Sequence, residues 1–285
     1  MVEKNADLHM HSTASDGGYT PSELMKKCHD NGLTHVSLTD HDTVNGVKEA
    51  IQAGQALGMT VIPGIEFSTK VSGKSVHILG YGIDWQDQSL LDMLELQREQ
   101  RRKRLDVILS KLKKVGIELE AADVLEFVDG GSIGRPHVAK ALVKKGHVRD
   151  IAEAFELYLA EGKPCYVSKE KEMSPEEAIE WIHRTGGLAV VAHPVYYDLD
   201  EIIEELVQTK QLDGIEIYHR DHPEDVVAHY EHLTAEWESK YGRQLLKTGG
   251  SDFHHEDYGR NREPLGVTRL QTSLAIELID QLQQR

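Results

Sequence analysis

The hydrophobic pattern is legible from the first stretch, ADLHMHSTASDG (6–17), where Asp7, His9 and His11 alternate with Leu8 and Met10. A strand period of two puts the polar set on one face and the apolar pair on the other. Short apolar, β-branched runs recur at THVSLTDHD (34–42), MTVIPGIEF (59–67) and GKSVHILGYGI (73–83), each of the length of a buried strand. Between the opening stretch and the run at 34–42, TPSELMKKCHDNGL (20–33) predicts a helix: Thr20 is the N-cap, Pro21 opens the first turn, Glu23 completes a capping box and Gly32 ends it. TVNGVKEAIQAGQALG (43–58) predicts the next helix. After Trp85 the pattern turns helical up to about 168.

Alternation then resumes. Ser174, Pro175 and Glu177 start a helix, GLAVVAHP (187–194) reads as a strand, and a helix begins near Leu199. DGIEIYH (213–219) and QLLKTGGSDFH (244–254) are further strands, flanked by helices over 224–241 and from Ser273 onward. About seven βα units in this order predict a barrel-like parallel sheet with helices outside. The barrel is assigned to 1–85 and 169–285, and the helical stretch 86–168 to an inserted lid.

Composition narrows the class. The 285 residues are 39% hydrophobic and 28% charged, as in an ordinary soluble α/β domain. No apolar run approaches the roughly 20 residues of a membrane helix. The opening MVEKNADLHM lacks the apolar core of a secretory signal, and two cysteines make no disulfide framework, so a reducing cytoplasm is expected. Net charge −16 argues against gripping long duplex nucleic acid, although it leaves a small phosphate substrate open.

The 16 histidines matter through their placement. His9, His11, His41, His193 and His254 fall at the carboxyl ends of predicted strands, with Asp16, Glu66 and Asp252 beside them and His77 within strand four. Barrel enzymes build their sites at that end. His29, His183, His229 and His232 lie inside predicted helices and are assigned no role. Nine candidate ligands are too many for one ion. Mixed imidazole and carboxylate suits two or three ions of manganese, with iron or zinc as alternatives. Three divalent ions against three carboxylates leave a cationic pocket suited to phosphate. Asp7, Asp40 and Asp42 are expected to orient imidazoles from behind. From Arg98 to Lys114, eight basic residues face only Glu99 and Asp106, which reads as a solvated helix or as a rim attracting anions.

In order and spacing, DLHMHS, TDHDT, GIEFS, VHILGYG, AHP and SDFHH resemble the motifs of the PHP (polymerase and histidinol phosphatase) family across essentially the whole chain. The resemblance implies a distorted (β/α)7 TIM-like barrel and a metal-dependent phosphoesterase. It implies one ion held by His9, His11, Glu66 and Asp252, a second by Glu66, His77 and His193, and a third by Asp16, His41 and His254. His9, His11, Glu66, His193 and Asp252 are the expected catalytic core. Within GGSIGRPHVAKALVKKG (130–146), Arg135 and His137 resemble substrate-phosphate residues of a branch that hydrolyses nucleoside 3′,5′-bisphosphates and trims short oligoribonucleotides from the 5′ end. In GKPCYVS, Lys163 and Tyr166 are weaker candidates. The alternatives are a histidinol-phosphate phosphatase, an amidohydrolase and a non-catalytic metal-binding module.

Overall fold

A computed structural model describes residues 3–128, 133–168, 172–209, 212–257 and 263–285. Seven strands lie side by side in chain order: β1 (Ala6–Asp7), β2 (His35–Leu38), β3 (Thr60–Val71), β4 (Lys74–Tyr81), β5 (Leu188–Val191), β6 (Gly214–His219) and β7 (Leu246–Gly250). The ends of the sheet meet. Leu8 N–H donates to Gly249 O at 3.2 Å and His11 N–H to Phe253 O at 2.9 Å, bringing the first strand against the last. The expected seven-stranded, TIM-like barrel is therefore present.

The sheet is not wholly parallel. β4 runs antiparallel to both β3 and β5, whereas the remaining pairs are parallel. Ser72 and Gly73 alone join β3 to β4, with φ of +50° and +80°, the left-handed pair of a tight hairpin turn. A parallel crossover needs a dozen or more residues, so this link permits only the antiparallel pairing.

Both predicted capping boxes form. Thr20 N–H donates to Glu23 Oε2 at 2.9 Å, and Ser174 N–H to Glu177 Oε2 at 3.0 Å, opening α1 (Pro21–Asp30) and a later helix, Pro175–Arg184. α2 (Val47–Ala56) covers the β2–β3 edge. α3 (Gln88–Lys114) is 27 residues long, about 40 Å at 1.5 Å per residue. Its first turns bury Leu90 and Leu94 in the barrel core, while Leu105, Ile108 and Leu112 join a separate apolar cluster. That second cluster also takes Val124 from α4 (Ala121–Leu125), Val138 and Leu142 from α5 (Arg135–Lys144), and Ala154 from α6 (Ile151–Ala154). The helical stretch thus has a core of its own, and α3 is shared between the two.

The chain continues as α7 (Pro175–Arg184), α8 (Asp200–Gln208), α9 (Glu224–Tyr241) and α10 (Thr272–Leu282) around the barrel. No helix of the described residues is long and apolar enough to cross a membrane.

Candidate metal centre

Alternation at the amino terminus is used fully. Leu8 and Met10 are buried in two different apolar clusters, while His9 and His11 turn to the barrel mouth with ring centroids 5.3 Å apart. β3 contributes Glu66 at its centre. Because β4 runs the other way, it delivers its amino-terminal half to the same mouth, which is why His77 stands opposite Ser68 rather than at a strand end. β5 is followed by His193 at φ +26° and β7 by Asp252 at φ +48°. Such left-handed backbone is uncommon outside glycine and concentrates at functional sites. Here it turns both side chains back over the mouth.

The nine predicted ligands converge. Four atoms form the tightest group. His9 Nε2 lies 3.3 Å from Glu66 Oε2 and 3.4 Å from Asp252 Oδ1, and His11 Nε2 lies 3.2 and 3.1 Å from the same two oxygens. Ligands about 2.1 Å from a tetrahedral ion stand about 3.4 Å apart, so these edges match a first coordination sphere. The other Glu66 oxygen, Oε1, meets His77 Nδ1 at 2.8 Å and His193 Nε2 at 3.1 Å. One carboxylate thus faces two groups. Asp16 meets His254 Nε2 at 3.3 Å and His41 Nε2 at 3.9 Å. His41 is not confined to that third group, since its Nδ1 reaches Glu66 Oε2 at 3.0 Å.

Several of these atoms are buried without a hydrogen-bond partner: His9 Nε2, both His11 nitrogens, His41 Nδ1 and Glu66 Oε2. Orphaned polar atoms at this density are costly unless something else satisfies them. Electrostatics point the same way. Burial by itself raises the Glu66 carboxyl, but His41, His77 and His9 hold it well below its usual range. Burial would likewise lower His9, yet Glu216, Glu66 and Asp252 carry it well above its ordinary value; His11 reaches about 10 through Asp252 and Glu66 despite burial. Burial keeps His41 near 4 and also lowers His193. Protons on His9 and His11 therefore supply positive charge among buried carboxylates, at the place a divalent cation would supply it. Residues of this type at these distances fit such ions.

The three aspartates expected behind the imidazoles do something else. Asp7 accepts from Ser251 N–H at 3.0 Å, Ser251 Oγ at 2.6 Å and the backbone N–H of His9 at 3.2 Å. Asp40 accepts from Ser12 N–H at 2.7 Å, Ser12 Oγ at 2.7 Å and Ser15 Oγ at 2.6 Å. Asp42, itself at φ +51°, accepts from Ser68 N–H at 2.9 Å and pairs with Arg101 of α3. They pin the loops that carry the ligands, because the neighbouring serines offer closer donors than any imidazole.

Imidazole partners come instead from residues the sequence did not single out. His9 Nδ1 donates to Glu216 Oε1 at 2.9 Å, and Glu216 Oε2 accepts His193 N–H at 2.8 Å. The Tyr197 hydroxyl accepts His77 N–H and contacts His193 Nδ1, both at 2.9 Å. His254 Nδ1 donates to the Asp252 carbonyl at 2.9 Å.

The helical unit stands beside the mouth. Arg101 reaches Asp42, and buried His137 feels the Asp16 carboxylate, although desolvation leaves its pKa lowered. His137 Nδ1 accepts Gly134 N–H at 3.0 Å. Residues 130–132 of that motif lie outside the described residues. Arg135 donates to Leu159 O at 3.0 Å and lies over the Tyr166 ring at 5.3 Å. Lys163 is exposed. Burial lowers the Arg104 pKa, with Arg135 and Arg101 adding to it and Tyr166 and Glu172 opposing it.

Known proteins agree with this architecture. A 5′-3′ exoribonuclease of Haemophilus influenzae is 35% identical over 257 residues, covering 89% of this chain and 91% of that one. A 3′,5′-nucleoside bisphosphate phosphatase of Chromobacterium violaceum is 36% identical over 262 residues, covering 88% and 87%. A Bifidobacterium adolescentis structure, described as a metal-dependent phosphoesterase, superposes with a TM-score of 0.82 at 28% identity over 98% of this chain and 97% of its own. A Chromobacterium violaceum structure described as an amidohydrolase, with sulfate bound, gives 0.76 at 34% identity over 96% of each. The PHP domain family model matches residues 7–258, and with these relatives it shows that the chain belongs to the PHP family.

Proposed function

We propose that this chain is a divalent-metal-dependent phosphoesterase acting on small nucleotides. It removes the 3′-phosphate of nucleoside 3′,5′-bisphosphates and trims short oligoribonucleotides from the 5′ end. The observation that carries this reading is the quartet of His9, His11, Glu66 and Asp252 atoms at tetrahedral-edge spacing, with partnerless atoms facing one another. Glu66 shares its two oxygens between that group and the His77–His193 pair, and Asp16, His41 and His254 make a third. Two or three ions, manganese first among them, suit this donor set. When bound, such ions supply Lewis-acid charge for hydrolysis of a phosphoester.

The remaining work falls to the chain. The helical unit 86–168 acts as a lid over the mouth. Arg135, at the start of α5, takes the substrate phosphate, which its planar guanidinium can bind in bidentate fashion. His137, with Asp16 within electrostatic reach, contacts the substrate phosphate from the lid side, with Tyr166 and Lys163 outside it. Relatives named as a 3′,5′-nucleoside bisphosphate phosphatase and as a 5′-3′ exoribonuclease, and one neighbour holding sulfate, support an oxyanion substrate. Two unpaired thiols, Cys28 and Cys165, suit a reducing cytoplasm.

The test is turnover by the manganese-loaded chain of adenosine 3′,5′-bisphosphate, a short 5′-phosphorylated RNA, histidinol phosphate and p-nitrophenyl phosphate. The bisphosphate and the RNA are expected as the preferred substrates, and His9→Ala is expected to lose metal and activity together. Turnover of histidinol phosphate alone would refute the substrate assignment, and full activity in His9→Ala would refute the metal assignment.

A further inference from the structure

Glu216 and His219 belong to one strand, β6, and are three residues apart. In a regular strand that spacing sends side chains to opposite faces. β6 is not regular. Glu216 is in register with Thr248 of β7, but Tyr218 pairs with Gly249 and His219 with Gly250, so Ile217 is an extra residue opposite nothing. Thr248 and Gly250 are two apart and share a face; their partners Glu216 and His219 therefore do too. Bulges next to active sites commonly re-aim a side chain in this way.

Both residues are almost wholly buried, and each faces a different proposed ligand of the same ion. Glu216 Oε1 accepts from His9 Nδ1 at 2.9 Å. His219 Nδ1 accepts the backbone N–H of Asp221 at 3.1 Å, which places the ring proton on Nε2. Nε2 has no hydrogen-bond partner and points at Asp252 Oδ2 from 3.7 Å, while Asp252 Oδ1 faces His9 and His11. A negative group behind an imidazole fixes its tautomer and raises its basicity, and an N–H dipole toward the outer oxygen of a carboxylate fixes which oxygen turns inward.

We infer that the β6 bulge makes Glu216 and His219 a pair of positioning residues: Glu216 holds His9, and His219 holds Asp252, in the orientation that binds the ion of the His9–His11–Glu66–Asp252 group. This rests on the metal-dependent reading above. His9, Glu216 and His219 also come close enough together to hold an ion themselves; Glu216 and His219 are assigned a positioning role and not a ligand role, and metal stoichiometry distinguishes the two.

The experiment measures metal, not only turnover. The full chain is stripped with a chelator and titrated with manganese by calorimetry, its stoichiometry is read by elemental analysis, and its cobalt form is read by visible absorption. Wild type is compared with Glu216→Gln, His219→Leu and His219→Gln, the last keeping a donor near Nε2. Glu216→Gln and His219→Leu are expected to weaken the tightest ion about 10–100-fold and shift the cobalt spectrum, with full stoichiometry at saturating metal. His219→Gln is expected to recover most of the affinity lost in His219→Leu. Should Glu216→Gln not fold, the two His219 variants still decide. Unchanged affinity and spectrum in variants of a wild type that binds its ions would overturn the inference alone. Loss of one equivalent at saturating metal in His219→Leu would also overturn it, by making His219 a ligand. A wild type that binds no divalent ion would instead remove the reading beneath it.

Discussion

The ion pair between Arg101 and Asp42 joins the helical unit to the loop that carries His41, and its removal has a calculable cost. Asp42 is 2% exposed and Arg101 15%. Replacing Arg101 by Met keeps most of the stem and deletes the charge, leaving a buried carboxylate held chiefly by Ser68. Breaking one side of a buried pair costs about 3–5 kcal/mol; the residual exposure of Arg101 argues for the lower end, about 3 kcal/mol. Asp42→Asn should cost less, about 1 kcal/mol. Asparagine tolerates the left-handed φ of +51° and still accepts from Ser68, and a freed Arg101 can turn to water. The double variant should then resemble Asp42→Asn, giving a coupling of about 3 kcal/mol. The assay is the urea unfolding midpoint of the metal-stripped chain for all four proteins, repeated at high salt, where a buried pair changes little. A loss under about 0.5 kcal/mol in Arg101→Met, or strict additivity of the two changes, would refute the claim that this contact is desolvated.

Two further outcomes follow from geometry and charge. At Gly250 a Cβ would stand 2.4 Å from His9 Cβ and 2.5 Å from His9 N, so Gly250→Ala must push the backbone at His9 outward; a manganese affinity at least tenfold weaker with the barrel still folded is expected, measured by titration and circular dichroism. His222 is buried, with Nδ1 donating to Ile217 O at 2.7 Å, and burial lowers its pKa from 6.5 to about 4. The unfolded chain therefore binds the extra proton between those values, so this ring costs stability as pH falls from 6.5 to 4, by about 3 kcal/mol at most. His222→Asn, which keeps the donor to Ile217, should flatten the fall in melting temperature over that range, and an unchanged slope would contradict the assignment.

Much of this was legible in the sequence because the determinants are local. Asp7, His9 and His11 share a face through strand period alone, and Thr20–Glu23 and Ser174–Glu177 announce their helices. The direction of β4 was harder, since an alternating strand reads identically both ways. The signal lay in the link: a handful of residues after Phe67 cannot hold a crossover helix. Glu216 hides in an apolar strand, where it reads as a solvated position, and only a partner 207 residues away makes it structural. His219 sits at a strand's carboxyl end, and the rule applied to His193 would have found it. Asp7, Asp40 and Asp42 meet other donors: Ser251 holds Asp7, Ser12 and Ser15 hold Asp40, and Ser68 with Arg101 holds Asp42, partners distant in the sequence that local pattern does not reveal.

The 27 residues of α3 contain neither glycine nor proline, so nothing in the strut invites a bend. One end is cemented among barrel side chains and the other among those of the helical unit. Because its side chains are set in both apolar clusters, parting the two ends of this beam would bare apolar surface to water.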